Sequence, residues 1–398
     1  MIDAFKSAAA DVYDEVVDLR RTFHRHPELS GEEHETARRV AETLEMLGLD
    51  VRRGVYETGV VGTLDGGEPG PTLLLRADTD ALPIREETGL DFASENEGVM
   101  HACGHDLHTS SLLGTAMILS RHQDAVHGQV RFCFQPHEER IPGGAKFMIE
   151  EGVLDATNGV PAPDTVFGQH IKPDLPAGTI GVRPGWFMAS ADEVYVTVNG
   201  EGGHAASPHE VAADATHVAS QIVVALQSLV SRQCPPDVPS VLTIGRLIAD
   251  GAPNVIPSTA RLEGTFRAMD EDWRHRAHDL FRRVVENTAA AHGASAEVEV
   301  REGYPALYNH EGPTRFVEEA ATEYAGPEQT VEADLWFAGE DFAYFLQECP
   351  GTFYQLGVGS EHGLHTSRVA PDEEALRTST GFMAYLAWQY GREQAQDS

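Results

Sequence analysis

Hydrophobic positions recur at helical spacing over residues 3–26, where Val12, Val16, Leu19 and Phe23 share one face of an acidic segment. A second helix is expected over 32–47, ending at Gly48. Val60-Val61-Gly62-Thr63-Leu64 and Thr72-Leu73-Leu74-Leu75-Arg76-Ala77 read as strands flanking the turn Gly66–Pro71. An apolar helix over 109–120, a strand over 128–135 and a short helix over 143–151 follow. Alternating strands and helices predict an α/β layer domain.

The pattern changes near residue 186. Strands are expected over 192–198, 240–247, 260–267 and 296–301, with helices over 211–232 and 271–292. Strand–helix–strand–strand–helix–strand is the ferredoxin-like order. After residue 302 the α/β character returns. The chain therefore reads as an α/β/α domain, residues 1–186 and 302–398, interrupted by an α+β insertion at 187–301. Its 398 residues exceed what one core normally serves.

Composition sharpens this picture. A hydrophobic fraction of 41% suits folded domains. The absence of an eighteen-residue apolar run excludes a membrane span, and the charged N-terminus lacks the apolar core of a signal peptide, so a cytoplasmic protein is expected. The four cysteines are too scattered for a disulfide framework. Asp and Glu number 63 against 29 Lys and Arg, a net charge of −34 that disfavours nucleic acid and anionic membranes. Of the basic residues, all but Lys6, Lys146 and Lys172 are arginines. An acidic, lysine-poor globular chain points to adaptation to molar salt, where screening acts within about 3 Å. Glu32-Glu33 and Asp372-Glu373-Glu374 read as solvated surface, and Trp336 and Phe337 as core.

Candidate chemistry lies in His101-Ala102-Cys103-Gly104-His105-Asp106 and in Gln135-Pro136-His137-Glu138-Glu139. Taken singly, each histidine is more often structural than a ligand, but four of them beside Cys103 within residues 101–137 (His101, His105, His108 and His137) weigh against that reading. Cys103 and His105 would share one side of an extended segment. Thiolate with imidazole favours zinc or another borderline transition metal. Of two adjacent glutamates following a strand, one can ligate a metal while the other takes a proton from water.

These segments carry a resemblance. Arg76–Pro83, the HACGHD run at 101–106, the Glu138-Glu139 run, Gly168-Gln169-His170, Gly202–His209, Asn254–Pro257 with Gly264–Arg267, Gly339-Glu340-Asp341-Phe342 and Leu364-His365 occur in order. Together they resemble the metal-dependent aminoacylase–carboxypeptidase family of metallopeptidases, in its amidohydrolase branch of hippurate, N-acyl-amino-acid and indoleacetyl-amino-acid hydrolases. The resemblance implies a dinuclear site of divalent zinc or manganese, with cobalt or nickel as alternatives, on Cys103, His105, Glu139, His170 and His365. It implies Glu138 as general base and Asp78 as a carboxylate orienting a ligand. His204 would polarise the scissile carbonyl from a partner subunit, in a dimer formed through the inserted domain. Asn254 and Arg267 would hold the substrate carboxylate. The implied substrate is an N-acyl-L-amino acid of acetyl, benzoyl or indoleacetyl type. A carboxypeptidase or dipeptidase acting on true peptides is the rival within hydrolases. A non-catalytic protein binding metal or acyl-amino acid is the rival outside them. His137, Ile171-Lys172 and Thr366-Ser367-Arg368 depart from the family pattern beside the expected pocket.

Overall fold

The computed structural model describes residues 1–157 and 159–397. Two compact units are present. One comprises Met1–Gly185, Tyr308–Asp334 and the chain from Asp341 on; the other comprises Trp186–Leu307 with Leu335–Glu340.

The first unit is built on an eight-stranded sheet. Its order is Asp50–Arg53, Val60–Asp65, His127–Gln135, Glu68–Asp78, Thr165–Lys172, Gly351–Gly357, Ile180–Val182, Thr330–Glu332. The middle four run parallel, and antiparallel pairs flank them on both sides. Strand alternation divides the interior. Leu73, Leu75, Phe132 and Phe134 join one apolar cluster with the helices Ile2–Arg25, His34–Met46, Glu311–Ala325 and Ala375–Asp397. Cys133 faces the other way, where its sulfur lies 4.0 Å from that of Met148 in the helix Gly144–Glu150. Helices thus cover both faces, as parallel strands require.

The helix His105–Arg121 is buried from end to end through Leu119, as expected of a helix apolar on all sides. It begins four residues earlier than its apolar run suggests. Cys103 and His105 are therefore not on an extended segment: the chain turns at Gly104 (φ +81°), and His105 opens the helix. Glycine is required there, because a Cβ would lie 2.1 Å from Ile171 Cδ1. The first helix also departs from its simple apolar stripe. Arg20 and His24 are fully buried on it, and both contact Asp106 Oδ2 at 2.9 Å.

In the second unit a four-stranded antiparallel sheet has the order Ser240–Ile248, Thr259–Ala268, Asp192–Asn199, Ser295–Arg301. The helices Ala215–Ser228 and Glu271–Ala291 pack against Val194, Val196, Val198, Leu262 and Phe266. This is the ferredoxin-like arrangement. The first helix starts later than its hydrophobic pattern because Asp214 caps it, accepting from the amides of Thr216 and His217. Phe337 is 38% exposed and Trp336 half-buried, so neither fills core. Among the described residues, no helix is long and apolar enough to cross a membrane.

Candidate metal centre

In the first unit, parallel strands deliver most of the candidate side chains to their C-terminal ends, where open α/β sheets place their sites. Asp78 ends one strand, Glu138 and Glu139 follow the next, and His170 lies near the end of a third. His105 opens the buried helix, and His365 comes from a turn at φ +59°.

Cys103, His105, Glu139, His170 and His365 come together. Cys103 Sγ lies 3.4 Å from His170 Nε2 and 3.3 Å from His365 Nε2. His365 Nε2 is 3.2 Å from Glu139 Oε1. His105 Nε2 faces Glu139 Oε1 at 3.9 Å and Glu138 Oε2 at 4.0 Å. The ligand atoms of Cys103, His105 and His170 lie within 4.8 Å of one another, as do those of Cys103, Glu139 and His365. The two triads share the thiol.

The electrostatics call for a cation. Burial pushes the Cys103 thiol well above its ordinary range, and Glu139, Glu138 and Asp78 push it the same way. Burial pulls His105 down, but the charges of Asp78 and Asp80 outweigh that and raise it to about 10. Burial lowers His170; its Nδ1 donates to the Ile171 carbonyl, leaving Nε2 as the basic nitrogen on the Cys103 side. His105 Nε2 and Glu139 Oε1 are buried with no hydrogen-bond partner among the described residues. A buried imidazole nitrogen and a buried carboxylate oxygen that converge without hydrogen bonds are what a ligand set presents to a metal. The mixture of sulfur, nitrogen and oxygen suits a borderline divalent ion.

Asp78 is fully buried. It accepts from His108 Nδ1 at 2.6 Å and from Arg76 at 2.8 Å, while its distance to His105 Nε2 is 3.6 Å. His108 Nε2 in turn accepts the amide of Ile171, so the Asp78–His108 pair braces the strand that carries His170. The carboxylate at His105 Nδ1 is Asp80, at 3.2 Å; Asp80 Oδ2 also takes the Ser30 hydroxyl and the Glu139 amide. Sequence reasoning assigned no role to Asp80 or His108. The signals were there: Asp80 is two residues past Asp78 in the same motif, and His108 lies one helical turn from His105. Asp341, named in the sequence only as part of a motif, was given no role there. It is buried, bonded to Arg76, Gln135 and the Ala145 amide, and burial raises it to about 6.

The remaining candidates belong to the second unit. His204 is exposed on a two-residue ladder with Val255-Ile256, and its Nδ1 accepts the Ala206 amide at 3.1 Å. Asn254 is exposed beside it, its carbonyl accepting from Ala205. Arg267 is half-buried, and burial lowers it.

A family model, peptidase family M20/M25/M40, matches residues 74–389. The N-acetyl-L-cysteine deacetylase of Bacillus subtilis is 40% identical over 93% of this chain and 86% of its own length. Thermostable carboxypeptidase 1 of Saccharolobus solfataricus is 38% identical over 99% of this chain and 100% of its own. The solved structure of the Bacillus subtilis YXEP protein, a dinuclear metal binding peptidase from the M20 family, superposes with a TM-score of 0.83. It is 38% identical, covering 96% of this chain and 99% of that one.

Proposed function

The chain belongs to peptidase family M20/M25/M40 and is a hydrolase of amide or peptide bonds, and from that premise we propose that it cleaves N-acyl-L-amino acids. The observation that carries this reading is the convergence of Cys103, His105, Glu139, His170 and His365 beside Glu138. Those five residues would hold two divalent cations, zinc or manganese. When bound, the cations would supply Lewis-acid activation of water and polarisation of the carbonyl.

Glu138 would take a proton from the attacking water and pass it to the amide nitrogen as the C–N bond breaks, so that water is consumed and a carboxylic acid and an amino acid leave. Asp80 and the Asp78–His108 pair would fix the imidazole ligands. His204 of a partner subunit would stabilise the oxygen of the tetrahedral state. Arg267, with Asn254, would bind the free carboxylate: its half-buried guanidinium makes no hydrogen bond or ion pair among the described residues, which suits a group awaiting an anionic partner.

The test is hydrolysis of acetyl-, benzoyl- and indoleacetyl-amino acids against unblocked dipeptides, with metal analysis of the same preparation. Blocked substrates should be preferred. Preference for dipeptides would move the reading to a peptidase, and two bound metals without turnover would move it to a binding protein. Glu138→Ala should retain metal and lose roughly two to four orders of magnitude in kcat, the range of general acid–base catalysis.

A further inference from the structure

The turn that carries Glu138 and Glu139 starts from an unfavourable backbone. His137 sits at φ +60°, a left-handed conformation that non-glycine residues hold only when their surroundings impose it. Glu33 is part of those surroundings. Its side chain is fully buried, against the expectation that Glu32-Glu33 is solvated surface. Its Oε1 accepts the His137 amide at 3.1 Å, and its Oε2 accepts the Gly31 amide at 2.9 Å and the Thr58 hydroxyl at 2.8 Å. It makes no ion pair among the described residues. Nor is it spent on capping the helix His34–Met46, because Glu28 takes the amides of Glu35 and Thr36 there.

The same short segment grips the turn a second time. Ser30 bonds Asp80, and the same Asp80 oxygen accepts the Glu139 amide. Gly31 lies directly under the His137 ring: a Cβ there would come within 2.6 Å of His137 Nε2, at a φ of +85°. On its outer side His137 Nε2 is 2.7 Å from Glu57 Oε2. The Pro136–His137 peptide and the Glu138–Glu139 peptide are thus each held by a buried carboxylate, Glu33 on the first and Asp80 on the second.

We propose that Glu33 is a positioning residue of the active site, holding His137 in its left-handed conformation so that Glu138 and Glu139 both face His105. The proposal rests on the reading of Glu138 as base and Glu139 as ligand. Glu33 touches neither; it acts through the His137 amide.

The test uses full-length protein stripped of metal and titrated with Zn²⁺ by calorimetry, with kcat and KM measured on whichever substrate the wild type hydrolyses. Glu33→Ala should weaken zinc binding and lower kcat by about 10- to 100-fold each, as loss of a support behind a metal ligand does, with KM changing less than about threefold. Glu33→Gln should recover most of both, since its amide oxygen can take the His137 N–H. Thr58→Val removes a hydrogen bond to the far oxygen of Glu33 and leaves the His137 bond in place. It should lower stability while leaving zinc affinity and kcat within about twofold.

If Glu33→Ala fails to fold, Glu33→Asp takes its place: the shorter side chain draws the carboxylate away from His137 and should lower both readouts about tenfold. Thr58→Val matching Glu33→Ala or Glu33→Asp in both readouts would show a purely structural role and overturn the proposal. So would a folded Glu33→Ala with wild-type binding and turnover. Should the wild type hydrolyse none of the substrates, the functional reading fails by itself, and the calorimetric series still decides the part played by Glu33.

Discussion

Asp80→Asn is the sharpest probe of the metal centre, because its effect follows from counting donors. Asp80 Oδ2 receives the Ser30 hydroxyl at 2.6 Å and the Glu139 amide at 2.9 Å, while Oδ1 meets His105 Nδ1 at 3.2 Å. An asparagine has one oxygen, and two donors hold it at the Oδ2 position. The amide NH₂ then points at His105 Nδ1, donor against donor, unless the imidazole moves its proton to Nε2. Nε2 is the nitrogen that faces Glu138 and Glu139, and a protonated Nε2 has no lone pair for a metal. Loss of the supporting hydrogen bond and the forced tautomer should together weaken divalent binding by about 10- to 100-fold, about 1.4–2.8 kcal/mol. The assay is calorimetric titration of the metal-free protein with Zn²⁺ at neutral pH. Ser30→Ala serves as the control, since it removes one Oδ2 bond without touching the tautomer, and should cost less than about threefold. If Asp80→Asn binds zinc as the wild type does while His105→Ala loses a site, the tautomer argument is wrong.

Three further predictions concern stability. Asp192 is buried and accepts from Arg274 at 2.9 and 2.5 Å, from His278 at 2.8 Å and from the Gly303 amide at 3.1 Å; Asp192→Ala removes the bidentate partner of the buried Arg274 and leaves it, among the described residues, only the ion pair with Glu271, and should cost about 3 kcal/mol in denaturant unfolding, a loss under about 1 kcal/mol counting against it. Burial raises Asp192, but the His278 and Arg274 hydrogen bonds outweigh it and hold the carboxyl below its ordinary value; its stabilisation is therefore complete above the unfolded value of about 3.9 and lost as pH falls through the lower folded value, so wild-type stability should fall more steeply below about pH 4 than that of Asp192→Asn. The net charge of −34 predicts a thermal midpoint that drops when salt is lowered from about 1 M, where the screening length is about 3 Å, to about 0.1 M, where it is about 10 Å; an unchanged midpoint would reject the salt-adaptation reading.

The sequence exposed those parts of the molecule whose physics is local. The ferredoxin-like unit was legible because its strands alternate: Asp192–Asn199 buries every second residue, and the pattern is visible in Val194, Val196 and Val198. Of the candidate metal donors, Cys103, His105 and Glu139 were legible because each lies in a short run dense with ligand types, whereas His170 and His365 were reached only through the family resemblance. Glu33 was not. An acid at the start of a helix beside another acid looks like a solvated first turn, and its burial depends on a hydrogen bond to a residue 104 positions away. Arg20 and His24 were half-legible. They fall at helical spacing from Val16, on the face that also carries Phe23 and enters the core, yet the partner that lets them stay there, Asp106, is 86 residues from Arg20. A polar side chain on an apolar stripe announces a buried partner without naming it.

The same logic explains why Asp78 and Asp80 are hard to separate from sequence. Asp78 ends a strand, Asp80 lies two residues beyond it, and both are buried. Their duties diverge through what faces them. Asp78 meets Arg76 and His108 and so supports the strand of His170; Asp80 meets Ser30, His105 and the Glu139 amide and so ties an imidazole to the carboxylate turn. Two carboxylates at the end of one strand thereby brace opposite sides of one candidate ligand cluster. That division requires the segment Glu28–Glu33 to lie against the end of the strand, where the Ala81 amide bonds the Glu28 carbonyl and Leu29 bridges to Ala81. A segment far from the metal-binding motifs in sequence is thus part of the support for Glu138 and Glu139. Charged residues near the N-terminus of this chain are accordingly better judged by their hydrogen-bond partners than by the acidic composition around them.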